Sequence, residues 1–183
     1  MRADVGRDLA SSAHDFERVV WPAVGRLFFG EGELIPVETD NGLLARRWDA
    51  LAGVDAWQVR DGTGMRGIAS RVQWIRPGGS PYNTFTVRKS RDSGALTEFE
   101  KRLRALDNPA GWLYPVLTIQ AYVAEPRGHG ALLSAAAAKT ADVIQMIRDG
   151  RARESRTWNA EFYHVAWGAM RRAGCEIRVW SAA

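Results

Sequence analysis

The chain has 183 residues, of which 46% are hydrophobic and 25% charged, with a net charge of +4 and a pI near 9.6. That composition is ordinary for a soluble globular protein, and the length is enough to bury a core without metals or disulfides. A single cysteine, Cys175, excludes an intrachain disulfide and a cysteine-based zinc site, and fits a reducing, cytoplasmic compartment. No apolar run approaches the length of a membrane span.

Residues 1–10 read as a loose, mixed-charge start to a single domain over residues 1–183. Ser11 or Ser12 can cap a helix running to Phe29, because Phe16, Val19, Val20, Ala23, Val24, Leu27 and Phe28 recur at helical spacing. Pro22 falls inside this helix and predicts a kink or a break. Glu17 lies on it. Residues 30–40 read as a loop with an extended piece at 34–38, and residues 42–51 as a short helix. Residues 54–60 and 68–75 are rich in β-branched and aromatic side chains and predict two strands. They are joined by a turn at Asp61-Gly62-Thr63-Gly64, where glycine takes positive φ without strain. Alternate residues of a strand share a face, so Arg71 and Gln73 point one way and Ile68, Ser70, Val72 and Trp74 the other. Asp55 on the first of these strands can then converge with Arg71 and Gln73 on one pocket. The same alternation also describes a half-solvated hairpin whose polar face meets water.

A third strand is predicted over residues 82–89. Thr97 caps a following helix, with Glu100 in capping-box spacing. Residues 113–123 form the most apolar strand. Residues 132–147 read as a helix whose alanines allow close packing on a sheet, and residues 148–156 as a charged loop. Residues 162–167 and 175–180 read as a terminal strand pair around a short helix that Gly174 stops. The order predicts an α+β fold, a single mixed sheet flanked by helices.

The charge is unevenly spread. Between Arg60 and Arg104 there are ten Lys or Arg residues against four Asp or Glu, an excess of six that exceeds the excess of the whole chain. A basic segment in a neutral scaffold points to an anionic partner, nucleic acid being the commonest, and arginine suits phosphate because its planar fork binds oxygens in pairs. No GxxxxGK[ST] loop occurs, and Gly62, Gly64 and Gly67 lie between two strands, which does not fit a dinucleotide site. His14, His129 and His164 stand at unrelated positions, giving little support to a histidine-rich metal site or a Ser-His-Asp triad. His164 reads as a strand or core histidine.

The helix with Glu17, then Gly53-Val54-Asp55, then a strand with Arg71-Val72-Gln73, then a third strand and a helix, resembles the PD-(D/E)xK nuclease superfamily, the restriction-endonuclease-like fold. The resemblance covers residues 16–123. It implies that Asp55, helped by Glu17, holds Mg2+ or Mn2+, that the metal activates water and neutralises a phosphodiester oxyanion, and that Arg71 and Gln73 serve at the third motif. That motif departs from the family pattern. Either Arg71 stands for the lysine, with Ala69 at the lost acidic position, or Arg71 and Gln73 form the pair in swapped order.

Two functions follow as expectations. One is a metal-dependent nuclease with Glu17, Asp55, Arg71 and Gln73 at its site and with Arg88, Lys89 and Arg91 gripping the nucleic-acid backbone. The other is a non-catalytic module that binds nucleic acid or protein through the basic face of residues 60–104, with Trp74, Tyr82 and Phe85 offered to bases. Both expect no membrane partner, and both are compatible with a homo-oligomer or a larger assembly.

Overall fold

The computed structural model describes residues 11–37, 53–60, 62, 64–92, 94–108, 115–124 and 130–182. Helix α1 covers residues 11–29, with π-helical turns over Phe16–Gly25 and an α turn over Arg26–Phe29. Pro22 lies within the π-helical stretch and the helix neither breaks nor ends there. Proline has no N–H to donate, and the wider π turn is a usual way for a helix to absorb such a defect. Among the described residues three further helices follow: α2 (Glu98–Asp107), α3 (Thr140–Arg148) and α4 (Trp167–Arg172). Among the described residues no helix is long and apolar enough to cross a membrane.

The strands are β1 (Glu33–Pro36), β2 (Ala56–Arg60), β3 (Gly64–Ile75), β4 (Thr84–Arg91), β5 (Leu117–Ala124), β6 (Leu132–Lys139), β7 (Arg153–Arg156), β8 (Ala160–Ala166) and β9 (Ile177–Ser181). Six of them form a mixed sheet in the order β1-β2-β3-β5-β6-β9, and β4-β8-β7 form a second sheet. β3 and β5 run parallel, with Arg71 beside Gln120 and Gln73 beside Tyr122; the other described pairs are antiparallel.

The α+β class holds, but the single sheet does not. The third strand, β4, leaves the hairpin and pairs with β8, so the two C-terminal strands belong to different sheets. The charged segment before β8 supplies a strand, β7. The largest correction is residues 132–139, expected as helix and found as strand β6. Alanine favours helices only by fractions of a kcal/mol per residue, and a site between two strands outweighs that preference. Ala135 and Ala137 face α1, while Ala136 and Ala138 face the opposite layer. The predicted turn residues Gly62 and Gly64 do take positive φ, at 72° and 88°. The expected helix over residues 42–51 lies outside the described residues.

Each face of the six-stranded sheet is covered. Phe16, Val20, Val24 and Phe28 of α1 pack on Ala56, Ile68, Val72, Ile119, Ala121 and Val123. Buried Asp15 accepts a hydrogen bond from Trp74 Nε1 (2.6 Å) and pins α1 to that face. On the other face Ile75 and Tyr122 meet Phe85, Val87 and Val165 of the second sheet and the apolar sides of α3 and α4. The edge of β4 is tied to that same face by polar groups. Thr86 N donates to Gln120 Oε1 (3.2 Å), and Tyr122 Oη donates to Thr84 O (3.0 Å). The two sheets are therefore joined along β5 by side chains that the sequence had placed inside a strand.

Candidate functional site

Asp55 stands one residue before β2. Its backbone N–H bonds Ile68 O (2.9 Å), which continues the β2–β3 ladder and sets Asp55 opposite Ala69. Cross-strand partners share a face, so Asp55 shares the face of Ala69, Arg71 and Gln73. The strand alternation read from the sequence is borne out in the packing: Ile68, Val72 and Trp74 face α1, and Ile75 faces the opposite layer. Asp55 Oδ2 accepts the Ser70 N–H (2.6 Å). Gln73 Oε1 accepts from Gln120 Nε2 (3.2 Å), which fixes the amide of Gln73 within the interlayer.

Arg71 finds its counter-charge on a different element. Its guanidinium bonds and ion-pairs with Glu98, the first residue of α2. Glu98 Oε2 also accepts the Arg88 N–H (3.2 Å), so one carboxylate ties β3, β4 and α2 together. Burial alone would raise the Glu98 pKa, but the guanidiniums of Arg71, Arg102 and Arg88 and the Arg88 N–H outweigh it and hold it at about 2. Arg102, one turn further along α2, is buried, and neither its Nε nor its Nη1 has a hydrogen-bond partner. Burial lowers its pKa; Glu98 and Asp55 oppose that, and Arg71 adds to it. Among the described residues the cluster thus holds three guanidiniums, Arg71, Arg88 and Arg102, against two carboxylates, Asp55 and Glu98, a formal balance of +1 (3 − 2).

The second sheet closes the cluster from outside. Arg71 and Arg88, from different sheets, lie 5.7 and 5.6 Å from the centre of the same ring, Phe162 on β8. The register places Arg88, Phe162 and Ser155 in one row and Thr86, His164 and Arg153 in the next, so these six side chains share a face of the second sheet. Arg71 reaches this face from β3.

The remaining expected site residues fall elsewhere. Glu17 is carried by α1, which packs on the opposite face of the six-stranded sheet from Asp55, Arg71 and Gln73. Lys89 points to the other face of the second sheet, where it ion-pairs with Glu154 and Glu161 and lies over Tyr163. Of Arg91 only the backbone, at the end of β4, is described. Phe85 is wholly buried and Trp74 partly so, whereas Tyr82 is exposed.

The residues present do not fit the divalent cation that the family resemblance implies. The carboxylates on the Asp55 face are already matched to guanidiniums and backbone N–H groups, and the second acidic ligand, Glu17, belongs to the opposite layer. Among the described residues no three His, Cys, Asp or Glu side chains gather around a common point. What the cluster offers is positive charge.

Sequence reasoning missed Glu98, Arg102, Phe162 and His164. Glu98 and Arg102 had a signal. The capping box at Thr97 fixes the start of α2, and both its hydrogen bonds form. Glu98 and Arg102 then lie at i and i+4, on one helix face. Phe162 and His164 had none, since the β4–β8 pairing that brings them in spans more than 70 residues.

No family model, curated protein or solved structure matches the chain.

Proposed function

We propose that the protein binds nucleic acid, with the phosphate backbone contacting Arg71 and Arg88 where they meet over Phe162. The convergence of two guanidiniums on one ring, with a third buried behind them, supports this reading. Guanidiniums held side by side at a partly exposed place attract anions, and a phosphate oxygen pair matches the guanidinium fork. The exposed rings of Tyr82 and Trp158, at 73% and 79% exposure, give unpaired bases surfaces for stacking. Magnesium-assisted cleavage of the PD-(D/E)xK kind would need Glu17 and Asp55 on one side of the sheet, and α1 carries Glu17 on the other.

The test is a titration of labelled single-stranded DNA and RNA across a range of salt concentrations, with wild type and Arg88→Gln. This variant keeps the backbone N–H that holds Glu98. Loss of one phosphate contact should lower the slope of log affinity against log salt by about one and weaken binding uniformly across sequences. An unchanged slope in the variant, or no binding by the wild type, would sink the proposal. The same mixtures with magnesium or manganese, and with Asp55→Asn, test for cleavage directly.

A further inference from the structure

The face that carries Arg88 and Phe162 also carries a serine and a histidine that the binding reading does not use. Ser155, exposed on β7, has its Oγ 2.6 Å from His164 Nε2 on β8. The other ring nitrogen, Nδ1, lies 3.4 Å from Thr86 Oγ1 on β4. Thr86 is itself fixed, because its N–H bonds Gln120 of the first sheet. Three strands thus contribute a hydroxyl, an imidazole and a second hydroxyl in sequence. In the tautomer with its proton on Nδ1, His164 donates towards Thr86 and leaves Nε2 to accept from Ser155. That is the arrangement an activated nucleophile requires: hydroxyl, base, and a group that orients the base.

We infer that Ser155 and His164 form a nucleophile–base pair that attacks phosphate esters bound at the neighbouring arginines. The substrate class rests on the nucleic-acid reading above and is a phosphodiester. In the first step the Ser155 Oγ–P bond forms and the bond from phosphorus to one ester oxygen breaks. His164 Nε2 takes the serine proton and passes it to the departing oxygen. In the second step water attacks phosphorus, His164 takes its proton, the Oγ–P bond breaks, and serine regains the proton. The products are an alcohol and a phosphate monoester, and no oxidant or other reactant is needed.

The surroundings suit this chemistry. Burial, with the Arg71 guanidinium adding to it, keeps the His164 pKa below its usual value, so the imidazole is neutral and able to accept a proton at pH 7. Arg71 from β3 acts on it electrostatically, with Glu98 as the counter-charge of that arginine, and the same face of the second sheet carries Arg88 on β4 and Arg153, its direct cross-strand neighbour on β7. They offer charge stabilisation to the phosphorane oxygens.

An organophosphorus probe tests the pair independently of nucleic-acid binding. A fluorophosphonate should modify the folded protein at Ser155, identified by peptide mass, and Ser155→Ala should remove the label. His164→Gln should slow labelling by about a hundredfold, the usual contribution of a positioned base. Thr86→Val should slow it too, and Thr86→Ser should restore it, which a purely structural role for Thr86 would not require. Labelling of the wild type should fall in acid as His164 takes up a proton. Ser155 is exposed, so its alanine variant should fold, and circular dichroism checks the others. No modification at Ser155, or equal labelling of wild type and His164→Gln, overturns the nucleophile. Labelling by a protein that binds no DNA or RNA overturns the phosphodiester assignment and leaves the nucleophile standing.

Discussion

Glu98 concentrates the energetics of the site in one side chain. Its folded pKa of about 2 lies below the ordinary 4.5, so the carboxylate contributes stability that is fully present above about pH 4.5. That contribution is lost as pH falls from there towards 2. Its side chain is 23% exposed, so solvent screens the interaction only in part, and a shift of this size corresponds to about 3 kcal/mol. Glu98→Gln should destabilise the fold by about 3–5 kcal/mol at pH 7, because it leaves buried Arg102 and partly buried Arg71 without their shared counter-charge. Urea unfolding of wild type and variant at several pH values measures this. The gap between the two should narrow steadily below pH 4.5; a gap constant from pH 7 to pH 3 would show that Glu98 acts through shape and not charge. This also marks how far the sequence can be read at single residues. An arginine inside strand β3 with no nearby acid announces that it needs a counter-charge. That the counter-charge comes from Glu98, 27 residues away, depends on how α2 docks on β3, which no local pattern records.

Elements whose signals are local were legible, and those fixed by packing were not. The Thr97 cap, the α1 stripe and the β2–β3 hairpin each rest on residues within a few positions of one another, and each is present. Strand β6 fails that test because alanine says little about its own conformation. Its small side chains matter as spacers, letting α1 approach one face while the second layer approaches the other. Ala137→Leu should therefore cost about 1–3 kcal/mol by overpacking the α1 interface, although leucine is also a good helix former and a helix on the surface would accept it. Thermal unfolding of this variant decides between the two, and no loss of stability would argue against the α1–β6 packing. Thr97→Ala should cost about 1 kcal/mol through loss of the cap. It should also loosen Glu98, the next residue, so the acid-sensitive part of the stability should shrink with it. A variant that loses stability equally at pH 7 and pH 3 would separate the cap from the ion cluster.

At the scale of the whole molecule, charge counted along the chain differs from charge arranged in space. The basic excess of residues 60–104 looks like one surface, yet the fold divides it. Arg71, Arg88 and Arg102 gather around Glu98, while Lys89 turns to the other face of the second sheet and meets two carboxylates from outside the segment, Glu154 on β7 and Glu161 on β8. The hydrogen bond that Lys89 donates to Glu154, with the charges around it, raises the Lys89 pKa, so the lysine stays protonated and stays matched. Lys89 should then add little to nucleic-acid binding, in contrast to the expectation drawn from the sequence. Lys89→Ala should leave both affinity and salt slope near the wild-type values, while Arg88→Gln, its neighbour on the same strand, lowers both. The converse variant is more telling. Glu154→Gln with Glu161→Gln removes two negative charges and frees one lysine without touching the arginine cluster. If binding is electrostatic and samples the whole second sheet, this variant should bind more tightly at low salt, and its advantage should vanish as salt screens it. If binding is confined to the Arg71–Arg88 face, the double variant should match the wild type at every salt concentration. A tighter complex that persists at high salt would fit neither outcome, and would mean that the nucleic acid contacts the Lys89 face directly.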